Sequence, residues 1–239
     1  KLERLGLSDI KDMLLINNIK TFIHHGIRQI DQIKRRVICG EVIPHGEKVF
    51  SLFQPHTEWV MKGKAGVPVE LGLKVCVLED QHQFILHHKV MEKQTDEQVA
   101  IPMVDETKQR FENLSTCSFD RAFHSPNNQK ELNEILDVVA LKRKGRLSQQ
   151  AREIENSEEF IKARYKHSAV ESAINALEVH GLDRCPDYGI VGFKRYVALA
   201  IVAHNIRRIG IILRNREQKI ENRRKEKFSC RNGPLKLAA

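Results

Sequence analysis

Residues 71–91 constrain this chain more than any other stretch. Leu71–Leu78 and Phe84–Met91 are apolar runs on either side of the polar segment Glu79-Asp80-Gln81-His82-Gln83. Runs of that length around a short polar turn read as a β-hairpin and commit this region to a sheet. The segments that follow narrow the choice. Thr95 can cap a helix reaching about Phe111, with Val99, Ile101, Met103 and Val104 as its apolar residues. A short strand then ends at Asp120, a helix covers about Asn128–Leu136, and Val138–Leu141 forms another short strand. Helices at about Ser157–His180 and Gly192–Asn215 close the ordered part. Hairpin, helix, strand, helix, strand, helices: this order predicts a mixed α/β arrangement with its helices collected late.

Upstream, residues 8–38 read as helical. Ser8 or Asp9 can cap, and Ile10, Met13, Leu14, Ile19, Ile23, Ile27, Ile30 and Ile33 recur at three- and four-residue spacing. Val49–Phe53 is a predicted strand halted by Pro55, and Lys62–Pro68 is a loop by its Gly and Pro content. The chain opens on Lys1 and its first methionine is Met13, so it reads as a piece of something longer.

Forty Lys and Arg against 31 Asp and Glu leave a formal net charge of +9, an excess that suits a polyanionic partner such as nucleic acid. Nine basic and three acidic residues fall within Arg207–Lys227, which predicts a charged extension of the last helix into solvent. The five cysteines are odd in number, widely spread and without a CxxC spacing, which fits reduced thiols in a cytoplasmic protein. No run approaches 18 consecutive apolar residues and no signal-peptide pattern opens the chain, so no membrane partner is expected.

Two carboxylates stand out. Asp120 closes the apolar run Ser-Thr-Cys-Ser-Phe (115–119), and Glu171 lies in a helix whose Val170, Ala173, Ile174 and Leu177 form an apolar stripe. Arg164, His167, Glu171, Asn175 and Glu178 recur at three- and four-residue spacing on another face of that helix. A carboxylate at a strand end and another on a later helix can converge on hard divalent cations. Each also has a plainer role: a helix or turn cap for Asp120, since Ser125-Pro126 starts the next helix, and a solvated amphipathic face for Glu171. The basic run Lys142-Arg143-Lys144-Gly145-Arg146 leaves the strand after Asp120 and would sit near that carboxylate if the two strands are neighbours. It reads as a solvated loop or as a phosphate contact that positions DNA without reading its sequence. His87-His88 on a strand point to opposite faces, His24-His25 on a helix point about 100° apart, and Cys117 suits a small core residue better than a nucleophile.

The same residues carry a family resemblance. Ser118-Phe119-Asp120 with Phe123-His124-Ser125-Pro126, and His167–Asn175 around Glu171, resemble bacterial insertion-sequence transposases of the DDE type, in the subgroup often filed as not classified yet. Phe53–Trp59, Lys62–Gly66, Gly181–Cys185 and Gly192–Ala198 are similar to that subgroup as well, and the match runs from about residue 35 to residue 215. The resemblance implies an α/β fold with a ribonuclease-H-like catalytic core, a mixed sheet flanked by helices. It also implies a DNA strand transferase that cleaves transposon ends and joins their 3′-hydroxyls to target DNA. Mg2+ would be the cofactor, with Mn2+ as its substitute. By position Asp120 matches the second Asp of the triad and Glu171 its Glu. Lys142, Arg143, Lys144, Arg146, Arg164 and His167 are the candidate DNA contacts.

The family's first Asp lies on the first core strand, and no residue here matches it. Asp80 sits in a hairpin turn, Glu58 follows Pro55 closely, and Asp96 begins a helix. Arg121-Ala122 also replaces the Lys-Gly that commonly follows the second Asp, and His167 stands where related groups often keep an Arg. The expectation is therefore an N-terminally incomplete core: residues 1–48 a helical segment of the insertion preceding it, 49–206 the core without its first strand, and 207–239 a basic C-terminal helix and tail. A chain with two of three metal ligands is expected to be inactive or nearly so. Partners would be transposon-end and target DNA, with a homo-oligomer as a further option because the family works as multimers on paired ends. The location would be the bacterial cytoplasm, at the nucleoid when bound. Two other classes stay open, a ribonuclease-H-like nuclease without strand transfer and a non-catalytic DNA-binding remnant.

Overall fold

The computed structural model describes residues 10–61 and 68–231, the side chains of 166–169 and 227–231 excepted. The loop expected at Lys62–Pro68 and the caps expected at Ser8 or Asp9 thus lie almost wholly outside the described residues, as does the tail beyond Arg231. Contacts divide the chain into two units: Lys1–Lys74 with Val90–Lys93 and Tyr188–Val191, and Val75–Lys89 with Gln94–Asp187 and Gly192–Ala239.

In the first unit, helix α1 (Ile10–Ile33) runs into a single π-helical turn at Lys34–Ile38, matching the predicted helical stretch. None of its described residues is buried. Its C-terminal end is fastened by charge: the Arg35 guanidinium donates to the carboxylates of Glu41 at 2.7 Å and Glu47 at 2.9 Å. The strand predicted at Val49–Phe53 is not formed. Side chains take over the hydrogen bonding there, since the Val49 amide donates to Gln32 Oε1 and the Gln54 amide to Ser51 Oγ. The Phe50 and Phe53 rings pack against Trp59 and Phe22 instead of lining a sheet. Strand β1 (Glu58–Met61) pairs antiparallel with β2 (Val69–Gly72), Glu58 opposite Gly72 and Met61 opposite Val69. The apolar run 71–78 is therefore broken at Leu73, because β2 pairs with β1 while the next strand, β3 (Lys74–Glu79), pairs with β4 (Ile85–Met91).

The second unit is a mixed α/β assembly, and the β3–β4 hairpin stands where the sequence placed it. Asp80 closes the turn, its Oδ1 accepting the amides of His82 and Phe84, each at 2.8 Å. Helix α2 (Asp96–Arg110) starts at Thr95 with a complete capping box to Gln98, and buries Val99, Ala100, Met103, Val104 and Thr107. Strand β5 (Thr116–Phe119) lies parallel to β6 (Val138–Leu141), Thr116 opposite Val138 and Phe119 opposite Leu141. The crossover between them is α3 (Pro126–Ile135), where Ser125 caps and Pro126 fills a first-turn site that has no amide to satisfy. A short α4 (Gln149–Glu155), unforeseen in the sequence, precedes α5 (Glu158–Leu177). The last buries Phe160 and Ala163 against Ala140, so α5 covers β6.

Helix α6 (Gly189–Arg231) continues 43 residues without a break, well past the predicted end near Asn215. Its residues 212–226 are all exposed, so the basic stretch does extend into solvent. By length and composition Gly189–Glu226 could cross a membrane. Within that span, however, Asn205 clasps the hairpin, its Oδ1 accepting the Ile85 amide at 2.9 Å and its Nδ2 donating to the Ile85 carbonyl at 3.0 Å. Arg208 Nε donates to the His82 carbonyl. Polar groups so placed are costly in hydrocarbon, and here they serve a protein contact. Just before α6, Gly181 adopts φ +105° beneath Tyr196, whose hydroxyl donates to its carbonyl at 2.8 Å.

Candidate functional site

Because β5 and β6 are parallel, their C-terminal ends lie at the same end of the pair. Asp120 leaves β5 there and the basic run leaves β6 there. Asp120 Oδ1 accepts the Arg121 amide at 2.6 Å and caps the single 3-10 turn Arg121–Phe123. The capping role is therefore real. It uses one of about four lone-pair positions of the carboxylate, and Asp120 stays exposed.

The turn is held from three sides. Asn128, on α3, donates from Nδ2 to the Phe123 carbonyl at 2.9 Å and to the Glu97 carbonyl at the start of α2 at 2.7 Å. Lys144 Nζ donates to the Ala122 carbonyl at 3.0 Å and pairs with Glu97. The Lys144 amide meets Nδ1 of the buried His124, and the Arg143 amide is received by Glu155 of α4. Burial, then Lys144 and Arg143, lower the His124 pKa, so the ring is kept neutral and able to accept that amide. The basic run is thus folded onto the Asp120 turn, as expected for neighbouring strands. Within it Lys144 is committed to structure, while Arg143 and Arg146 remain exposed and Lys142 is half-buried.

Helix α5 packs on β5 and β6 and carries Glu171 exposed to solvent. Val170, its neighbour, lines a cavity of about 500 Å3 that Asp120, Phe119 and Cys117 also line. The structure therefore brings Asp120 and the turn bearing Glu171 to one cavity, though Glu171 itself is not among the lining residues. Arg164 is exposed on the same helix, and the His167 side chain lies outside those described. Cys117 is buried, and burial pushes its thiol up to about 11 and that of Cys76, across the cavity, up to about 12, which leaves both without thiolate character. His87 is buried with Nε2 3.0 Å from Glu106 Oε2 while His88 is only half-buried, as alternation along a strand requires.

Two carboxylates offer the oxygen chemistry that Mg2+ takes, with water and phosphate oxygens completing its shell. Among the described residues, no group of three or more His, Cys, Asp or Glu converges on a metal position.

One feature of the cavity is invisible in the sequence. Glu79 Oε2 and Ser118 Oγ are buried there without a hydrogen-bond partner, and burial, with Asp80 adjacent, raises the Glu79 pKa. Alternation says which face a strand residue takes, but not that its free edge meets a void. Compared with protein-family models, with curated proteins and with solved structures, the chain matches none.

Proposed function

We propose that this chain is the catalytic portion of a DNA strand transferase of the insertion-sequence type, built on a ribonuclease-H-like core. The observation that carries the reading is the shared end of β5 and β6. A strand-end carboxylate and a folded basic loop meet there, and the helix bearing a second carboxylate contributes Val170 to the cavity that Asp120 lines. Arg143, Arg146 and Lys142 would bind phosphate and set the DNA in register, which gives affinity without sequence preference. Asp120 and Glu171 would hold Mg2+ or Mn2+, which when bound supplies Lewis acidity at a phosphoryl oxygen. The neutral His124 and the anchored Lys144 would keep the Asp120 turn in place. Alone, the chain is expected to be inactive or nearly so, since Asp120 and Glu171 are two of the three carboxylates that such a metal site takes.

The multimer that such chemistry uses has a candidate seam in α6. Leu199, Val202, Ile206, Ile209 and Leu213 are exposed and follow alternating three- and four-residue spacing, the pattern of a two-helix coiled coil. The test has two readouts, Mn2+ binding followed by electron paramagnetic resonance and joining of a 3′-hydroxyl donor duplex to a plasmid. Asp120→Ala should weaken Mn2+ binding at least tenfold and abolish any joining. If it changes neither these nor DNA affinity, the chain is a DNA-binding remnant and the catalytic reading fails.

A further inference from the structure

Arg207 and Arg208 open the basic stretch of α6, and neither lines the cavity at Asp120. They line a second cavity, of about 150 Å3, between α5, α6 and the turn of the β3–β4 hairpin, all within the second unit. Among the described residues they are the only charged groups in its lining, and neither forms a salt bridge. Arg208 is half-buried, and a cation drawn out of water is costly until an anion meets it. The carboxylate it acts on at longer range, Glu79, lines the other cavity. Arg208 Nε donates to the His82 carbonyl at 2.8 Å, which fixes the guanidinium plane. Its two Nη atoms have no protein acceptor among the described residues, and that end-on fork matches two oxygens of a phosphate. Arg207 Nη1 meets His180 Nε2, a ring nitrogen rather than a carboxylate, so its charge also lacks a partner.

The other walls suit an oxyanion as well. Ser172 of α5 and Gln83 of the hairpin turn bring a hydroxyl and an amide, both hydrogen-bond donors. His204 lies four residues before Arg208, on the same face of α6, with Nε2 3.4 Å from the Gln83 carbonyl. Ala173 and Ile211 supply the apolar remainder. Two features name the source of the phosphate. Ser172 follows Glu171 directly on α5, so the pocket opens one residue from a carboxylate read above as a metal ligand. Past the pocket α6 runs on exposed, carrying Arg214, Arg216, Lys219, Arg223 and Arg224. A free anion needs only the pocket, whereas a polyanion uses the helix beyond it too. We propose that this cavity is a phosphate subsite that takes one backbone phosphate of DNA and anchors the duplex beside Glu171. The taste for phosphate stands on the lining alone, and its assignment to DNA rests on the strand-transferase reading.

The full 239-residue chain is titrated with inorganic phosphate and, separately, with a short DNA duplex. Heteronuclear NMR follows the ring signals of His204 and the Nε–H signals of Arg207 and Arg208. Expected are saturable shifts of these signals with phosphate, shifts of the same signals with duplex, and displacement of the duplex from them by added phosphate. Arg207→Gln with Arg208→Gln should lower the salt dependence of duplex binding by about two counterions. Ser172→Asp places a carboxylate in the pocket at an exposed position, and should abolish the phosphate shifts while Tm is unchanged, which separates lost binding from lost folding. Phosphate shifts without duplex shifts would make this a free-phosphate site and overturn the assignment to DNA. No shift with either ligand overturns the pocket altogether. Mn2+ binding and its loss in Asp120→Ala are separate readouts, so failure of the pocket leaves the catalytic reading standing, and failure of that reading leaves the phosphate shifts in place.

Discussion

Asn128→Ala tests the reasoning about the Asp120 turn most directly. The side chain is 4% exposed and spends both amide hydrogens, one on the Glu97 carbonyl at 2.7 Å and one on the Phe123 carbonyl at 2.9 Å. Each bond has a net worth of about 1 kcal/mol, and a partner left buried without a donor raises the cost toward 2. The backbone amide of residue 128 still donates to Ser125 Oγ, so the helix cap survives. Alanine's better helix propensity returns about 0.5 kcal/mol. The expected loss is therefore about 2–3 kcal/mol, or a Tm lower by roughly 5–10 °C for a protein of this size. Asn127→Ala is the internal control. That side chain is exposed and bonds only Glu131 within its own helix, so its loss should stay within about 0.5 kcal/mol. Urea unfolding followed by circular dichroism would give both values, with the slope unchanged between variants. If the two substitutions cost the same within about 0.5 kcal/mol, Asn128 does not hold the turn and the account of how Asp120 is positioned is wrong.

Other outcomes follow from the same structure. Arg146→Ala should lower the salt dependence of DNA binding by about one counterion, whereas Lys144→Ala, which releases Glu97 and the Ala122 carbonyl, should lower Tm and leave that slope unchanged; the reverse pattern would contradict the roles assigned. The fold holds His124 neutral, with its pKa below the ordinary 6.5, so its stabilisation is full above pH 6.5 and is lost as pH falls through the lowered value. His124→Gln should make Tm fall less steeply on acidification below 6.5, and an unchanged profile would remove His124 as a source. Gly181→Ala puts a Cβ at φ +105° and 3.2 Å from Tyr196 Oη, which should cost about 1–2 kcal/mol, measurable by the same urea titration. Ile206→Lys with Ile209→Lys should give a monomer by sedimentation equilibrium if α6 is the seam, and a wild type already monomeric at tens of micromolar would reject the seam.

Legibility in the sequence followed the locality of the physics. Thr95 and Gln98, Ser125 and Pro126, and the Asp80 turn are signals contained within four or five residues, and the elements they begin or close fell within about two residues of expectation. Val49–Phe53 failed because its apolar alternation was spent on ring contacts with Phe22 and Trp59, partners no local pattern names. Leu71–Leu78 failed as one strand because its two halves pair with different strands. At the site, proximity of the basic run to Asp120 was legible only on the condition that the two strands be neighbours, which the parallel pairing of β5 and β6 meets. The anchoring of Lys144 by Glu97, 47 residues away in sequence, did not. Nor did the orphaned Glu79 and Ser118, since burial of a single oxygen depends on three-dimensional packing that periodicity does not encode.

The Asn205 clasp also has a consequence in time. Parallel β5 and β6 meet after a crossover of roughly 20 residues, while the bonds from Asn205 to Ile85 join positions 120 apart. Closing the longer loop costs about 1.6 kcal/mol more chain entropy, by the logarithmic dependence on loop length. The order of events expected is the β5–α3–β6 crossover first and the docking of α6 late, after the folding barrier. Asn205→Ala should then quicken unfolding with little change in the folding arm of a chevron, and a slowed folding arm would place the clasp in the nucleus instead. The lifetime of the folded hairpin would be set by a helix that arrives last and leaves first.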